Sequence, residues 1–463
     1  MQEPSLQLDW TAYDAYGAGD AYAHLPAHGA GFGKAAAVCI GSRTCQRADA
    51  KGVMCPSFRA TQDGTHSTQH RAAMLRAALD GELGERPFED ERLREALDLC
   101  VACKGCKREC PNGVDMALLR TEALAQRWAD RPRPRRERLI AQLPQWLPRL
   151  RRWRVLLNPL LALRERWPWL ARQVQARLGL AAARSLPRPA AQAFLDQAPR
   201  GPVGPGPREV VLLVDTFHNQ LDPSTAQAAL EVLQAIGCRV HVLHAPAGEA
   251  PLCCGRSALA VGDVATARAA ATRLQRALAP YVERGLPIIG LEPSCLLTLR
   301  DEHLALGLGE AATRTAQQAW LLEEYLAREF KPGELPFQAL PEPSPPVLVH
   351  GHCHQKAFGA MKALRKVLGG VPGLQVQFID SSCCGMAGAF GYEAEHHAIS
   401  MTMAEAELLP AVRAASADTW LLANGTSCRH QIHDGAQRQA RHLAHLLRAA
   451  LPATPPDPAA PAP

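Results

Sequence analysis

Three common signatures are missing from this sequence. No apolar run approaches the ~20 residues that a membrane-spanning helix needs, so a helical span is excluded. Neither G-x-G-x-x-G nor G-x-x-x-x-G-K-S/T occurs, which removes the two familiar phosphate-cradling loops and the nucleotide binding they support. The N-terminal stretch Met1-Gln-Glu-Pro-Ser-Leu-Gln-Leu-Asp9 is polar and acidic, without the basic-then-apolar order of a secretory signal. The expected location is therefore cytoplasmic, with any membrane attachment peripheral, on the inner face of the cytoplasmic membrane. Aromatic residues are only 5% of the chain, yet four of the eight Trp fall within residues 131–170. Eleven Arg and two Glu give that segment a net +9, which leaves −3 for the rest of a chain totalling +6.

Cysteine, in contrast, is abundant. There are 15, and in a reducing cytoplasm grouped cysteines are metal ligands more often than disulfides. The clearest group is Cys100-Val-Ala-Cys103-Lys-Gly-Cys106-Lys-Arg-Glu-Cys110-Pro111, or C-x2-C-x2-C-x3-C-P. Three thiolates on one tight turn reach separate corners of an iron–sulfur cube, while the fourth, before a proline, serves a neighbouring cluster. A disulfide framework does not explain that rhythm.

An altered copy of the same motif precedes it: Cys39-Ile-Gly-Ser42-Arg-Thr-Cys45, then Cys55-Pro56 after an insertion. Two motifs imply a two-cluster, ferredoxin-like module with exchanged fourth ligands. Cys100, Cys103, Cys106 and Cys55 would hold one 4Fe–4S cluster. Cys39, Cys45 and Cys110 would hold the second, one thiolate short because Ser42 replaces a cysteine. That site suits a 3Fe–4S cluster, or 4Fe–4S with serine, histidine or water on the last iron; the bland alternative is a single cluster. Ser67 or Thr68 starts one helix, a second runs from about Asp90 to Leu99, and a third follows Asn112.

The expected organisation is multidomain. An irregular segment (1–34) precedes an α-helical dicluster ferredoxin-like module (35–130). A basic helical connector follows (131–198), then two repeated α/β Cys-Cys-Gly domains with parallel sheets (208–330 and 345–450) and a disordered Pro/Ala tail (451–463). In the connector Trp146, Trp153, Trp167 and Trp169 alternate with arginines, as suits short amphipathic helices on a bilayer surface; a solvated connector is the competing reading. Nucleic-acid binding is not expected, since no recognised motif accompanies the charge.

The repeat is read from matching elements. Glu209–Asp215 and Pro346–His350 are buried strands, each followed by a polar turn, a helix and another strand. The copies then read Cys253-Cys254-Gly255 and Cys383-Cys384-Gly385, and a later strand ends in Glu292-Pro-Ser-Cys295 or Gly425-Thr-Ser-Cys428. Alternating strands and helices give parallel sheets, whose carboxyl ends collect ligands. The second copy offers Cys353, Cys383, Cys384 and Cys428, with His350, His352 and His354 close by and His354 the favoured extra ligand. The first copy offers Cys253, Cys254 and Cys295, with Phe217 aligned to Cys353 and His218 to His354. Either set suits iron–sulfur or zinc. The glycine after each cysteine pair allows a close backbone turn, and Cys238 has no partner in the repeat and reads as core.

These residues resemble a known family. Val53-Met-Cys-Pro-Ser-Phe-Arg-Ala-Thr61, Ala96–Cys106, Gly290–Cys295 and Ser382-Cys-Cys-Gly-Met-Ala-Gly-Ala-Phe-Gly391 are similar to the iron–sulfur part of flavin-linked D-2-hydroxyacid dehydrogenases of the D-lactate, glycolate and D-2-hydroxyglutarate type. The iron–sulfur component of glycolate oxidase is included, and the Cys-Cys-Gly component of heterodisulfide reductase is a more distant relative. The resemblance implies an oxidoreductase component acting on CH–OH groups. FAD would sit on a partner oxidase subunit or the product of a split gene, and single electrons would pass to a quinone or cytochrome. Glu292 and Gly425 stand where heterodisulfide reductase carries an extra cysteine, and Gln69-His70-Arg71 replaces a common Arg-Gly-Arg. A heterodisulfide-reductase-like thiol/disulfide enzyme, or Cys-Cys-Gly sites acting as structural zinc docking modules, are the alternative functions.

Overall fold

The computed structural model describes residues 3–18, 25–47, 52–331, 333–341 and 344–452. The expected disordered tail from residue 453 on, and residues 48–51 of the insertion before Cys55, lie outside the described residues.

The first part is helical, and its helices begin where capping chemistry allows. Ser67 accepts the His70 N–H (3.2 Å) at the start of Thr68–Leu79. Asp90 accepts from Arg92 (2.8 Å) before Glu91–Asp98, and Asp115 from Leu118 (3.1 Å) before Met116–Arg127. Leu75, Leu79, Leu93, Leu97 and Leu119 from these helices share one core. The N-terminal segment differs from the expectation. Ala30–Ala37 is a helix crossing the supposed boundary at residue 34, and six of its eight residues are buried. Its small residues admit close neighbours: a Cβ on Gly31 would lie 2.7 Å from the Trp10 carbonyl. A helix buried on nearly every side has no apolar stripe to betray it. Glu122 anchors the irregular stretch before that helix, accepting from Gln7 N, Leu8 N and Trp10 Nε1 at 2.9, 2.8 and 3.1 Å.

Four short helices follow, Arg135–Ala141, Leu143–Arg152, Arg154–Arg166 and Pro168–Leu178. Then come two four-stranded parallel sheets. The first contains β1 (Arg208–Leu213), β2 (Cys238–Val242), β3 (Ile288–Gly290) and β4 (Ala319–Leu321) in the order β2-β1-β3-β4. The second contains β5 (Val347–His350), β6 (Val376–Phe378), β7 (Trp420–Ala423) and β8 (Ala440–Arg441) in the order β6-β5-β7-β8. The orders are equivalent, so the chain reverses direction across the sheet between β1 and β3, and again between β5 and β7. Crevices form at such switch points.

The two sheets are joined reciprocally. Pro223–Ala235, which follows β1, packs on Leu443–Ala449, which ends the second unit; Leu322–Glu329, which ends the first, packs on Met361–Gly369, which follows β5. One continuous core therefore runs from Val210 and Leu212 through Tyr325 to Val347, Val349 and Leu446. That exchange is what a pseudo-twofold relation between two copies produces.

Candidate metal centres

Cys55, Cys100, Cys103 and Cys106 line a single cavity. Ala102 and Lys104 take left-handed φ values of 47° and 62°, and Cys55 takes 56°. Such backbone is rare outside glycine, and here it coils the Cys100–Cys106 turn inward. The two motifs touch at Gly105, where a Cβ would stand 2.7 Å from Met54 Cα. Glu109 locks that contact by accepting the N–H groups of Val53 and Met54 at 2.7 and 2.8 Å. Buried Arg71 donates to Ala96 O (2.7 Å) and Ser57 Oγ (2.8 Å), with Nη1 3.8 Å from Cys55 Sγ. Burial works against its charge, but the sulfurs of Cys100, Cys55 and Cys106 outweigh burial and raise its pKa. Burial first, and neighbouring sulfurs next, push Cys103 and Cys106 above the usual thiol range. Four thiols around one cavity fit a centre whose own positive charge lets all of them become thiolates.

Burial raises the Cys45 pKa, the Gln69 N–H lowers it, and Cys55 and Cys39 lie close enough to Cys45 to raise it further. Gln69 N donates to Cys45 Sγ at 3.4 Å. Cys110 is half-buried against the same core. Ser42, the residue in place of a cysteine, is exposed, with its hydroxyl 3.3 Å from that of Thr44.

In the sheet units the cysteines fall at strand ends and helix starts. Cys295 and Cys428 occupy the first turns of Pro293–Arg300 and Thr426–Ala436, and Cys353 opens Cys353–Ala357. Gly255 N and Gly385 N each donate to the first cysteine of the pair, Cys253 and Cys383, at 3.4 Å. These glycines adopt φ +84° and +81°, and their missing Cβ faces the next helix: it would meet Ala267 O at 2.9 Å and Ser400 O at 2.1 Å. The close turn at each glycine thus brings its N–H onto the first sulfur of the pair and leaves no room for a Cβ against the next helix backbone.

The two sites are unequal. In the second, Cys384 and Cys428 sulfurs are 3.4 Å apart, and Cys383 sits between Cys353 and Cys384. His352, Cys353 and His354 form one group of potential ligands, and His350, Cys384 and Cys428 another, each with its donor atoms within 4.8 Å. His354 Nε2 faces Arg256 Nη2 at 3.4 Å, while its Nδ1 is buried without a partner. In the first site Cys253, Cys254 and Cys295 pack with Phe217. His218, aligned with His354, is committed elsewhere: Nδ1 is 2.6 Å from Asp215 Oδ2, and Nε2 is 3.1 Å from Arg429 Nη2. Hydrogen bonding within Cys254–Cys295 lowers the Cys295 pKa, but burial and the carboxylates of Asp215 and Glu292 push it up to about 12. Glu292, in place of the cysteine of heterodisulfide reductase, accepts the Thr426 N–H (2.8 Å) and so ties the two sites' helices together. Cys238 is buried in the core beside Tyr325 Oη (3.4 Å).

Three basic residues at these sites were not singled out from sequence. Arg256, directly after Cys-Cys-Gly, pairs with Glu302 and donates to Ala102 O (3.3 Å) as well as His354. Lys356 faces Cys353, Cys383, Cys428 and Cys384, donating to the Ser381 carbonyl. Lys104 lies between two cysteines of the first motif. Each is adjacent in sequence to a ligand motif, and that adjacency was the available signal. Most consequential is a contact between distant motifs: Cys103 shares a buried cluster with Cys353 and Cys383.

Comparison with known proteins agrees with this geometry. Residues 35–114 match the 4Fe-4S dicluster domain. The chain is 26% identical to D-2-hydroxyglutarate dehydrogenase of Pseudomonas putida over 449 residues, covering 87% of this chain and 42% of the relative. A component of the anaerobic glycerol-3-phosphate dehydrogenase of Escherichia coli is 28% identical over 246 residues, 52% of this chain and 59% of that one. The glycolate oxidase iron-sulfur subunit of Escherichia coli is 28% identical over 216 residues, 46% of each chain. The chain thus spans less than half of the D-2-hydroxyglutarate dehydrogenase it matches. It is an iron–sulfur protein with a 4Fe-4S dicluster domain, homologous to these oxidoreductase components.

Proposed function

We propose that this chain is the iron–sulfur electron-transfer component of a FAD-linked 2-hydroxyacid dehydrogenase, with the flavin on a partner subunit and a quinone or cytochrome as acceptor. The observation that carries this is the packing of Cys103 against Cys353 and Cys383 in one water-excluded cluster. When bound, iron–sulfur clusters supply single-electron transfer, which divides a two-electron flavin oxidation into one-electron steps. Cys55, Cys100, Cys103 and Cys106 hold the first cluster, Cys39, Cys45 and Cys110 the second, and each Cys-Cys-Gly domain holds a further centre. Cys45, Cys110 and Cys253 are half-buried whereas the Cys55 and Cys100–Cys106 sulfurs are buried, which supports exchange with partners at the former and relay at the latter.

The acceptor side fits a bilayer surface. Ten of the twelve large hydrophobic residues exposed among those described lie between Leu139 and Leu178, Trp153, Trp167 and Trp169 among them. Interleaved arginines suit anionic headgroups. No described helix is long and apolar enough to cross a membrane.

The test uses the complex co-purified anaerobically with its flavoprotein. Cys103→Ser should abolish electron delivery to quinone while the hydroxy acid still reduces the flavin. Loss of flavin reduction with the partner still bound, or unchanged delivery to quinone, contradicts the role.

A further inference from the structure

The repeat contains an internal comparison. Aligning Phe217 with Cys353 places Val214 opposite His350, so the first unit lacks two groups that the second has. His350 ends β5, at the switch point between β5 and β7. It is 2% exposed. Its Nδ1 lies 2.9 Å from Ser381 Oγ, a hydroxyl also within 3.4 Å of Lys356 Nζ. Its Nε2 is buried and has no hydrogen-bond partner. A buried polar atom without a partner costs about 1–3 kcal/mol, so such an atom beside two sulfurs needs a reason. A ring nitrogen of His350 and the sulfurs of Cys384 and Cys428 all lie within 4.8 Å of one another.

We propose that His350 Nε2 is a metal ligand alongside Cys384 and Cys428, making the second Cys-Cys-Gly site a mixed thiolate–imidazole centre and leaving the first, with Val214, all-thiolate. This rests on reading the Cys-Cys-Gly cysteines as a metal site, but not on the identity of the flavin partner. A metal about 2.3 Å from each sulfur in tetrahedral geometry separates the sulfurs by about 3.8 Å, and the observed 3.4 Å is within a small adjustment of that. Metal-bound histidines characteristically donate their other N–H to an oxygen that fixes the ring. Ser381 Oγ is that oxygen, and the Lys356 ammonium donating to the Ser381 carbonyl holds the serine in place. The neighbouring rings are differently engaged. His352 Nδ1 accepts the His354 N–H at 3.1 Å as a helix cap, and His354 Nε2 faces Arg256. Imidazole in place of thiolate removes a negative charge from the ligand set, and histidine ligation raises a cluster's potential, as it does in Rieske centres. The second site would then be the easier of the two to reduce, next to Cys103.

The full chain, purified anaerobically, is assayed for iron and zinc and labelled with 15N-histidine. Pulsed EPR of the reduced protein, or zinc-edge absorption where the site carries zinc, reads nitrogen in the metal's coordination shell. Histidine nitrogen should be present in the wild type, lost in His350→Gln, and retained in His352→Gln and His354→Gln. No histidine nitrogen in the wild type overturns the proposal without recourse to any variant, as does a signal lost in His354→Gln instead. Metal content unchanged by joint replacement of Cys383, Cys384 and Cys428 overturns it too, and marks the failure as that of the metal-site reading itself.

Discussion

The ammonium of Lys104 lies 2.7 Å from Asp301 Oδ2, with the two side chains 1% and 7% exposed. Lys104 stands between Cys103 and Cys106, whereas Asp301 follows the helix that carries Cys295. The same ammonium reaches Asp115 (3.2 Å) and Glu302 (3.4 Å), and Lys107 adds a second cation on Asp115 (3.0 Å). One buried charge cluster thus fastens the ferredoxin-like turn to the first sheet unit, and burial, which opposes the Lys104 charge, is outweighed by Asp115, Asp301 and Glu302.

Lys104→Met should therefore destabilise the anaerobic protein by about 3 kcal/mol, because removing one partner strands buried carboxylates. Denaturant midpoints read this. Removing a cation beside the Cys55/Cys100/Cys103/Cys106 centre should also make that centre harder to reduce, so an EPR redox titration should show a lower potential. An unchanged potential would mean that the charge acts on docking alone.

Arg71→Lys keeps one charge but loses the fork that reaches Ala96 O and Ser57 Oγ while facing Cys55 Sγ. Lysine cannot replace such planar, multidentate geometry. The expected outcome is a lower iron content after desalting, with the loss confined to the dicluster module.

Gly255→Ala and Gly385→Ala differ only in what a Cβ meets. Both place alanine in left-handed backbone, at about 1–2 kcal/mol. In Gly385→Ala the methyl also faces a backbone carbonyl at 2.1 Å, against 2.9 Å for Gly255→Ala. Unfolding midpoints should fall for both, and further for Gly385→Ala; the reverse order would contradict the packing described.

His396 joins Asp98 of the ferredoxin-like part (3.0 Å) to Glu393 (2.6 Å) of the second sheet unit. Burial lowers its pKa, but the hydrogen bonds to Asp98 and Glu393 outweigh it and raise the value to about 9. A group whose pKa rises on folding stabilises fully below its unfolded value, near 6.5, and loses that contribution as pH climbs through the folded value. Stability should decline between about pH 6.5 and 9, and His396→Gln should flatten that slope in pH-dependent denaturation.

Replacing Trp153, Leu156 and Trp169 together by Ser should weaken binding to vesicles containing anionic lipid by about tenfold or more, since each withdraws apolar area from the interface. Binding should also fall with added salt through the arginines. No binding by the wild type would mean that the segment covers protein instead, and salt-insensitive binding would mean that the arginines do not meet the headgroups.

Much of the dicluster module was legible because its signals are local. The 2-2-3 spacing of Cys100–Cys110 is confined to one turn and the helix after it, and Ser67, Asp90 and Asp115 cap helices within three residues of themselves. The parallel strands were legible for the same reason, as short buried apolar runs bounded by turns. Ala30–Ala37 was not, because burial on nearly every side erases periodicity. Arg256 and Lys356 were not either, and His350 stood out only as one of three neighbouring histidines, since what distinguishes these residues is what faces them.

The sequence by itself determined which residue types stand where a metal could use them: the two ferredoxin motifs, the two Cys-Cys-Gly turns, and the substitution of Phe217 for a cysteine. Ligand spacing within a turn is a property of backbone geometry over a few residues, so it survives in one dimension. Only the tertiary structure decided that Cys103 lies against Cys353 and Cys383, that Lys104 is held by Asp301, and that of three histidines around Cys353 only His350 sits with Cys384 and Cys428. Those relations span 34 to 280 residues and depend on which apolar faces bury one another, which no local pattern encodes.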